Sequence, residues 1–463
     1  MRLSLRRTPS AALIAALPVL ALALPAKPVT AEPHPGPPGG IPGRYIVTLT
    51  PGTSPSAVLD GLRVKPLFTY RHALTGFAAR LTEAQAAKVR TAPGVDEVEQ
   101  DAMVYIPPGE DAPADSDLEP PDAGGPAEDP ANFPEEPEGP ADEPGAAPGA
   151  SAAPQETAAP VGTAAPEQAP APRPTTKPVP PPSAVAQRMG GFTPWGLTRI
   201  NNRALGGTGF SVKATGAKVT AYIVDSGIEF SHPDFGGRAV RGYDAIGDGL
   251  DGGDCNGHGT HVAGTVGGSY TGVARKVPLV SVRVFPCVGR TANSVILAGI
   301  DWVAGHAKRP AVANLSFAGR WSLAVNRAVE GLSKAGVFPV TASGNDNINA
   351  CFVSPAGSPG AFTVGAIDQE DRRAWFSDWG TCVDIHAPGA GILSAYLNAS
   401  FRDLDGTSMA AAHVTGIAAL YKDTYGDASF ATLSAWLSDH AIRNVPLDGG
   451  FGTARLAAFT NGL

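Results

Sequence analysis

Residues 107–183 are almost entirely proline, alanine, glycine, aspartate and glutamate, with hardly a large apolar side chain among them. A stretch of that composition cannot bury enough apolar surface to offset the entropy of ordering its backbone, so it is expected to be a disordered, extended linker. It divides the 463-residue chain by composition: residues 1–31, 44–106 and 192–463 are the parts that need separate explanations. It also distorts the charge. Residues 110–188 hold fifteen acidic side chains against three basic ones, a local −12, so the chain's net −8 leaves +4 for everything else. No basic stripe interleaved with aromatics appears, and nucleic acid is not an expected partner.

The N-terminus has a different logic. Arg2, Arg6 and Arg7 precede an apolar run over residues 11–24, and small residues follow at 24–26 and 29–31. That is the layout of a secretory signal peptide over residues 1–31, and the run is short for a bilayer span. Nothing downstream is longer, so a secreted protein without a stable membrane anchor is expected. Four cysteines in an exported chain are expected to be paired, and spacing alone leaves all three pairings open.

Residues 44–106 read as a small α/β unit. Tyr45, Val47 and Leu49 alternate as in a strand, Val95 and Val98 lie in a second extended stretch, and Thr82 with Glu83 opens a helix between them. Residues 192–463 alternate short apolar runs with helical patterns, and the whole chain's 43% hydrophobic content is enough for a full core. Val219, Ala221 and Ile223 form a strand ending at Asp225; residues 280–284, 312–315 and 337–340 form further strands, with helices over 291–307 and 323–332. This is the α/β pattern of a doubly wound, mostly parallel sheet, in which functional groups gather at the carboxyl ends of strands.

Three motifs carry chemistry. Val-Asp-Ser-Gly at residues 224–227 supplies Asp225, Asn-Gly-His-Gly-Thr-His at 256–261 supplies His258, and Gly-Thr-Ser-Met-Ala at 406–410 supplies Ser408. A serine hydroxyl is a weak nucleophile unless a base lies within hydrogen-bond reach, and a carboxylate orients that base and steadies its charged form. Singly, Asp225 reads as a turn residue and Ser408 as a helix cap. His261 invites a metal reading, but no His-Glu-x-x-His pattern or third ligand accompanies it, and it is expected to be structural.

In the order Asp, His, Ser, the three motifs resemble the subtilisin-like serine proteases, in particular the proteinase K and aqualysin-like branch. The resemblance covers nearly all of residues 192–463. It implies Asp225, His258 and Ser408 as the catalytic residues and Asn345, in Ala-Ser-Gly-Asn, as the oxyanion donor. Ser316, Phe317, Ala318 and Gly319 would pair with an extended peptide substrate and form one wall of its primary pocket, and Ala342, Ser343 and Gly344 the other. It further implies bridges Cys255–Cys287 and Cys351–Cys382, each closing a loop worth roughly 3–4 kcal/mol in the chain-entropy view. A structural calcium ion would be held by Asp384 and the carbonyls of Pro359 and Ala361. The second calcium site of bridged relatives is expected to be absent or weak, because Thr198, Asn201 and Asn202 stand where its carboxylates would be. Residues 44–106 resemble an inhibitor-type propeptide of ferredoxin-like fold, an intramolecular inhibitor of the same chain. Three departures accompany the resemblance: the long linker, Ala318 in place of a glycine, and Ala412 in place of a proline. Arg290 would favour acidic residues in the outer subsites. The function implied is a secreted, monomeric, autoprocessed endopeptidase acting on proteins or peptides. A transacylase and a catalytically silent binding module of the same fold are the alternatives.

Overall fold

The computed structural model describes residues 39–106, 192–445 and 452–463; the expected signal peptide and the expected linker lie outside the described residues. Residues 39–106 run β1 (Gly40–Leu49), α1 (Pro55–Leu62), β2 (Pro66–Tyr70), β3 (Gly76–Arg80), α2 (Glu83–Arg90) and β4 (Val95–Tyr105). The alternation at Tyr45, Val47 and Leu49 is realised on one face of β1, which packs with Phe77, Leu59 and Val89 under the two helices. The intervening Ile46 and Ala78 face a different core, shared with the larger part of the protein. Thr82 is the N-cap of α2: its hydroxyl accepts from the Gln85 N–H at 3.2 Å while the Gln85 side chain accepts from the Thr82 N–H at 2.9 Å, a reciprocal capping box. The strands pair antiparallel in the order β4-β1-β3-β2, the ferredoxin-like arrangement.

The larger part contributes α3 (Trp195–Asn201), β5 (Thr220–Asp225), β6 (Ala239–Asp244), α4 (His258–Gly267), β7 (Leu279–Arg283), β8 (Arg290–Ala292), α5 (Asn293–His306), β9 (Ala311–Leu315), β10 (Ala318–Arg320), α6 (Leu323–Lys334) and β11 (Val337–Ala342). β12 (Val353–Ser354), β13 (Phe362–Ile367), β14 (Ile385–Pro388), β15 (Ile392–Tyr396), β16 (Ser400–Leu404), α7 (Thr407–Tyr425), α8 (Phe430–His440), β17 (Ile442–Arg443) and β18 (Leu456–Ala457) follow. Nine strands form one sheet in the order β17-β18-β14-β13-β11-β9-β5-β7-β6, parallel throughout except for the edge pair β17–β18. Its strands are near-continuous apolar runs because both faces are covered. Ala221 and Ile223 point into a core with α4 and α7; their neighbours Tyr222 and Val224 point into the core with α5 and α6.

The sheet order reverses at β5, which lies between β7 and β9. Such a switch point opens a crevice at the carboxyl ends of the strands. Asp225 ends β5 there, Ser316 follows β9, and Asn345 lies three residues beyond the end of β11. The helix expected from residue 291 begins at Asn293, because residues 290–292 are drawn into strand β8.

Candidate active site

Asp225 and His258 come from different elements and meet by close packing. A Cβ built on Gly259 would stand 2.2 Å from the Gly227 carbonyl, so only glycine lets the first turn of α4 press against the end of β5. His258 is the first residue of that helix and its Nδ1 lies 2.7 Å from Asp225 Oδ1, both side chains buried. A carboxylate at Nδ1 fixes the ring tautomer with Nε2 as the free base. His258 Nε2 makes no hydrogen bond to another described residue.

Ser408 is the second residue of α7, after the N-cap Gly406. It caps nothing: its hydroxyl donates to the Ser316 carbonyl at 3.1 Å, so in this conformer the serine–histidine hydrogen bond is not made. In the first turn of α7 the Thr407 N–H donates to Asn345 and the Met409 N–H to the Gly406 carbonyl, while the positive end of the helix favours an anion beside Ser408. Asn345 completes this end of the crevice. Its Oδ1 accepts from both the N–H and the hydroxyl of Thr407, each at 2.9 Å, which turns Nδ2 away from them as an available donor.

A cleft of about 690 Å³ runs past Ser408 and Asn345, lined on one side by residues 316–319 and on the other by Ala342. Ser343 and Gly344, expected on the same wall, follow Ala342 directly, with the Ser343 hydroxyl donating to the backbone carbonyls of Gly344 and Asp378. The Ala318 methyl rests against a small cluster of Ala350, Val353 and Ala356. The chain's own β4 forms part of the cleft, with Met103, Tyr105 and Ile106 among its lining. The last residues of β4 leave their own sheet and lie antiparallel between β8 and β10, with Val104 opposite both Thr291 and Gly319 and Tyr105 opposite both Arg290 and Ala318. Ile106 continues the pairing by donating to the Gly289 carbonyl at 2.9 Å. Side chains alternate as extended-peptide recognition requires: Val104 and Ile106 are buried, and Tyr105 is turned outward against the Arg290 guanidinium.

The pattern of the subtilase family matches residues 216–460, just over half of the chain, and that of the peptidase inhibitor I9 family matches residues 60–107. The chain belongs to the subtilase family. Among similar curated proteins, an extracellular serine proteinase of Thermus sp. (strain Rt41A) is 48% identical over 58% of this chain and 66% of its own length. Alkaline serine exoprotease A of Vibrio alginolyticus is 46% identical over 53% of this chain and 46% of its own. The chain thus spans about half to two thirds of the curated relatives it matches. A crystal structure of a cold adapted subtilisin-like serine proteinase aligns with a TM-score of 0.57 and 43% identity, over 58% of this chain and 98% of the other.

The subtilase frame is braced around the pair of Asp225 and His258. Cys255 is bridged to Cys287 just ahead of His258, and Cys351 to Cys382 just beyond the loop that carries Asn345. His261 is structural as expected: Nε2 lies 2.9 and 3.0 Å from the Ile392 and Arg402 carbonyls, tying α4 to the β15–β16 hairpin, and burial pulls its pKa down to about 3. Ala412 is buried within an unbroken α7. Asp384 joins β13 through the Thr363 N–H, accepted at 2.7 Å, and burial raises its pKa to about 6.

Sequence reasoning missed Asp254, three residues before Gly257. Its carboxylate accepts from the Ser226 hydroxyl (2.9 Å), the Asn256 and Gly257 N–H groups (2.9 and 3.0 Å) and both donors of Thr260 (2.9 and 2.6 Å). It thereby clamps the residue after Asp225 to the turn that carries His258. An aspartate just ahead of an Asn-Gly turn was the available signal. Thr407 and Asp378 were missed as well, and no local pattern marks either.

Proposed function

We propose that this subtilase is a secreted serine endopeptidase, made with residues 44–106 as its inhibitory propeptide and residues 192–463 as its catalytic domain. It hydrolyses extended polypeptides through an acyl-enzyme. The observation that carries the reading is the 2.7 Å Asp225–His258 pair at the end of β5, together with Ser408 at the start of α7 and the Asn345 amide, the last two lining one cleft.

Ser408 Oγ, turned from the Ser316 carbonyl toward His258, attacks the scissile carbonyl carbon while Nε2 takes its proton. The carbonyl oxygen becomes an oxyanion and is met by Asn345 Nδ2 and the Ser408 N–H. Collapse breaks the C–N bond, the imidazolium gives its proton to the leaving amine, and an ester of Ser408 remains. Water, deprotonated by His258, attacks that ester; the acid leaves and Ser408 regains its proton. Asp225 holds the ring and stabilises its charged form throughout. Residues 316–319 and Ala342 would be the substrate walls. Binding through backbone pairing, as β4 does, accepts any extended chain and favours broad selectivity. The position of β4 supports its reading as an intramolecular inhibitor: it fills the strand position that a substrate needs.

The relatives' names and the two disulfides support an extracellular location. A structural calcium ion would be held by Asp384 with the Pro359 and Ala361 carbonyls, a hard oxygen set. The donor set fits, since Asp384 is a half-buried carboxylate whose pKa is raised by desolvation and lowered by a backbone hydrogen bond from Thr363. Chelation by EDTA is expected to lower Tm by several degrees and added calcium to restore it; an unchanged Tm contradicts the site.

An internally quenched extended peptide tests the function. Turnover blocked by a fluorophosphonate, with the adduct mass found on the Ser408 peptide, is the expected result. Product masses showing free carboxylates exclude the transacylase, and no turnover by processed protein leaves the silent binding module.

A further inference from the structure

Asp378 sits in the turn between β13 and β14, with its side chain fully buried. One carboxylate oxygen accepts from the N–H groups of Asp346 at 3.0 Å and Ile348 at 2.9 Å. Its own N–H donates to the Gly344 carbonyl at 3.0 Å. The three bonds enclose the short loop 344–348, whose Asn345, Asp346 and Ile348 line the cleft beside Ser408. The second oxygen has no hydrogen-bond partner among the described residues and stands 2.1 Å from where a Cβ on Gly344 would be. Gly344 has φ +113°, so the loop is folded tightly onto the carboxylate in a conformation that a side chain would prevent.

Burying a carboxylate is costly unless a cation or a full set of donors offsets it. Burial pushes this carboxyl up to about 6, with the neighbouring Asp346 carboxylate acting in the same direction. The group does little for the core, since it serves one short loop. Opposite, Thr407 grips the Asn345 side-chain oxygen. Asn345 is therefore fixed from two sides, its side chain by α7 and its backbone by Asp378.

We propose that Asp378 is a positioning residue for the oxyanion site: by accepting the Asp346 and Ile348 N–H groups it sets the height at which the Asn345 amide meets the developing oxyanion. This rests on the reading of Asn345 under the proposed function. A displaced donor weakens binding of the tetrahedral species more than binding of the planar substrate, so the effect belongs in kcat.

The test uses wild type, Asp378→Asn, Asp378→Ala and Asp378→Ser, each measured for kcat and KM on an extended peptide and for affinity toward a peptide boronate, which forms a tetrahedral adduct on the serine. The asparagine variant keeps an oxygen for both N–H groups and is expected within about threefold of wild-type kcat. Alanine is expected to lose about ten- to a hundredfold in kcat with KM within about twofold, somewhat less than deleting an oxyanion donor outright. Boronate affinity should fall in parallel. Serine, too short to reach both N–H groups, repeats the loss if the alanine variant does not fold. The proposal is overturned if alanine or serine keeps kcat within about twofold, if KM moves and kcat does not, or if asparagine loses as much as alanine. A wild type that hydrolyses nothing overturns the proposed function instead.

Discussion

Asp225, His258 and Ser408 were legible in sequence because each lies in a short motif whose neighbours are glycines or small residues, needed for close backbone approach. Gly259 is the example: its missing side chain allows the 2.7 Å contact made by the histidine before it. Asp254 and Asp378 were not legible, since what they do depends on which N–H groups the fold delivers to them. At this scale the account makes a direct prediction about Asn345. Replacing it by alanine removes a side-chain donor and should lower kcat by about 10²–10³, the range established for the corresponding subtilisin donor, with little change in KM. Equal kcat values for Asn345→Ala and wild type would show that the amide does not face the reaction.

Elements explain how the chain restrains itself. β4 is one strand with two lives, an edge of the sheet of residues 40–105 at Val98 and an inner strand of the four-stranded cleft sheet β12-β10-β4-β8 at Val104. Alternation around Val95 and Val98 revealed the strand, but not that its end would find partners nearly two hundred residues away. Side chains of the propeptide and the catalytic domain also cap each other's segments. Glu99 accepts from the Leu323 N–H at 3.1 Å at the start of α6, and Asp101 from the Ser294 N–H at 3.1 Å at the start of α5. In the other direction, Asp301 on α5 accepts from the N–H groups of Arg71, His72 and Ala73 at 2.7–3.1 Å. Asp301→Ala leaves those donors unmatched at an interface, a loss of roughly 1.5–3 kcal/mol for bonds to a charged acceptor. Latent activity should then appear about ten- to a hundredfold more readily, read as the rate at which peptide hydrolysis develops. An unchanged rate would mean that the cleft strand alone sets the inhibition.

The whole molecule should be sensitive to acid for a reason that two helices share. His261 in α4 and His413 in α7 are buried, and desolvation holds their pKa values at about 3 and about 4, below the ordinary 6.5. The unfolded chain takes up protons that the folded chain refuses, so stability is complete above about 6.5 and declines as pH falls toward 4. The decline approaches roughly 1.4 kcal/mol per pH unit for each histidine. Thermal melts of Ser408→Ala, which cannot digest itself, should show Tm falling steadily from pH 6.5 to 4.5; a flat Tm would contradict it. The doubly wound sheet was legible at this scale from its strand and helix periods, because a parallel sheet buried on both faces leaves a strong apolar signature. The reversal of strand order at β5 was not, since it depends on which strands pair. The account as a whole stands on Ser408 acting as nucleophile through His258. The most direct measurement is steady-state hydrolysis of an extended peptide by processed wild type beside Ser408→Ala. The account predicts clear turnover by wild type and a loss of about 10⁶ in kcat in the variant, the figure that holds for subtilisin. Comparable turnover by both proteins would contradict it.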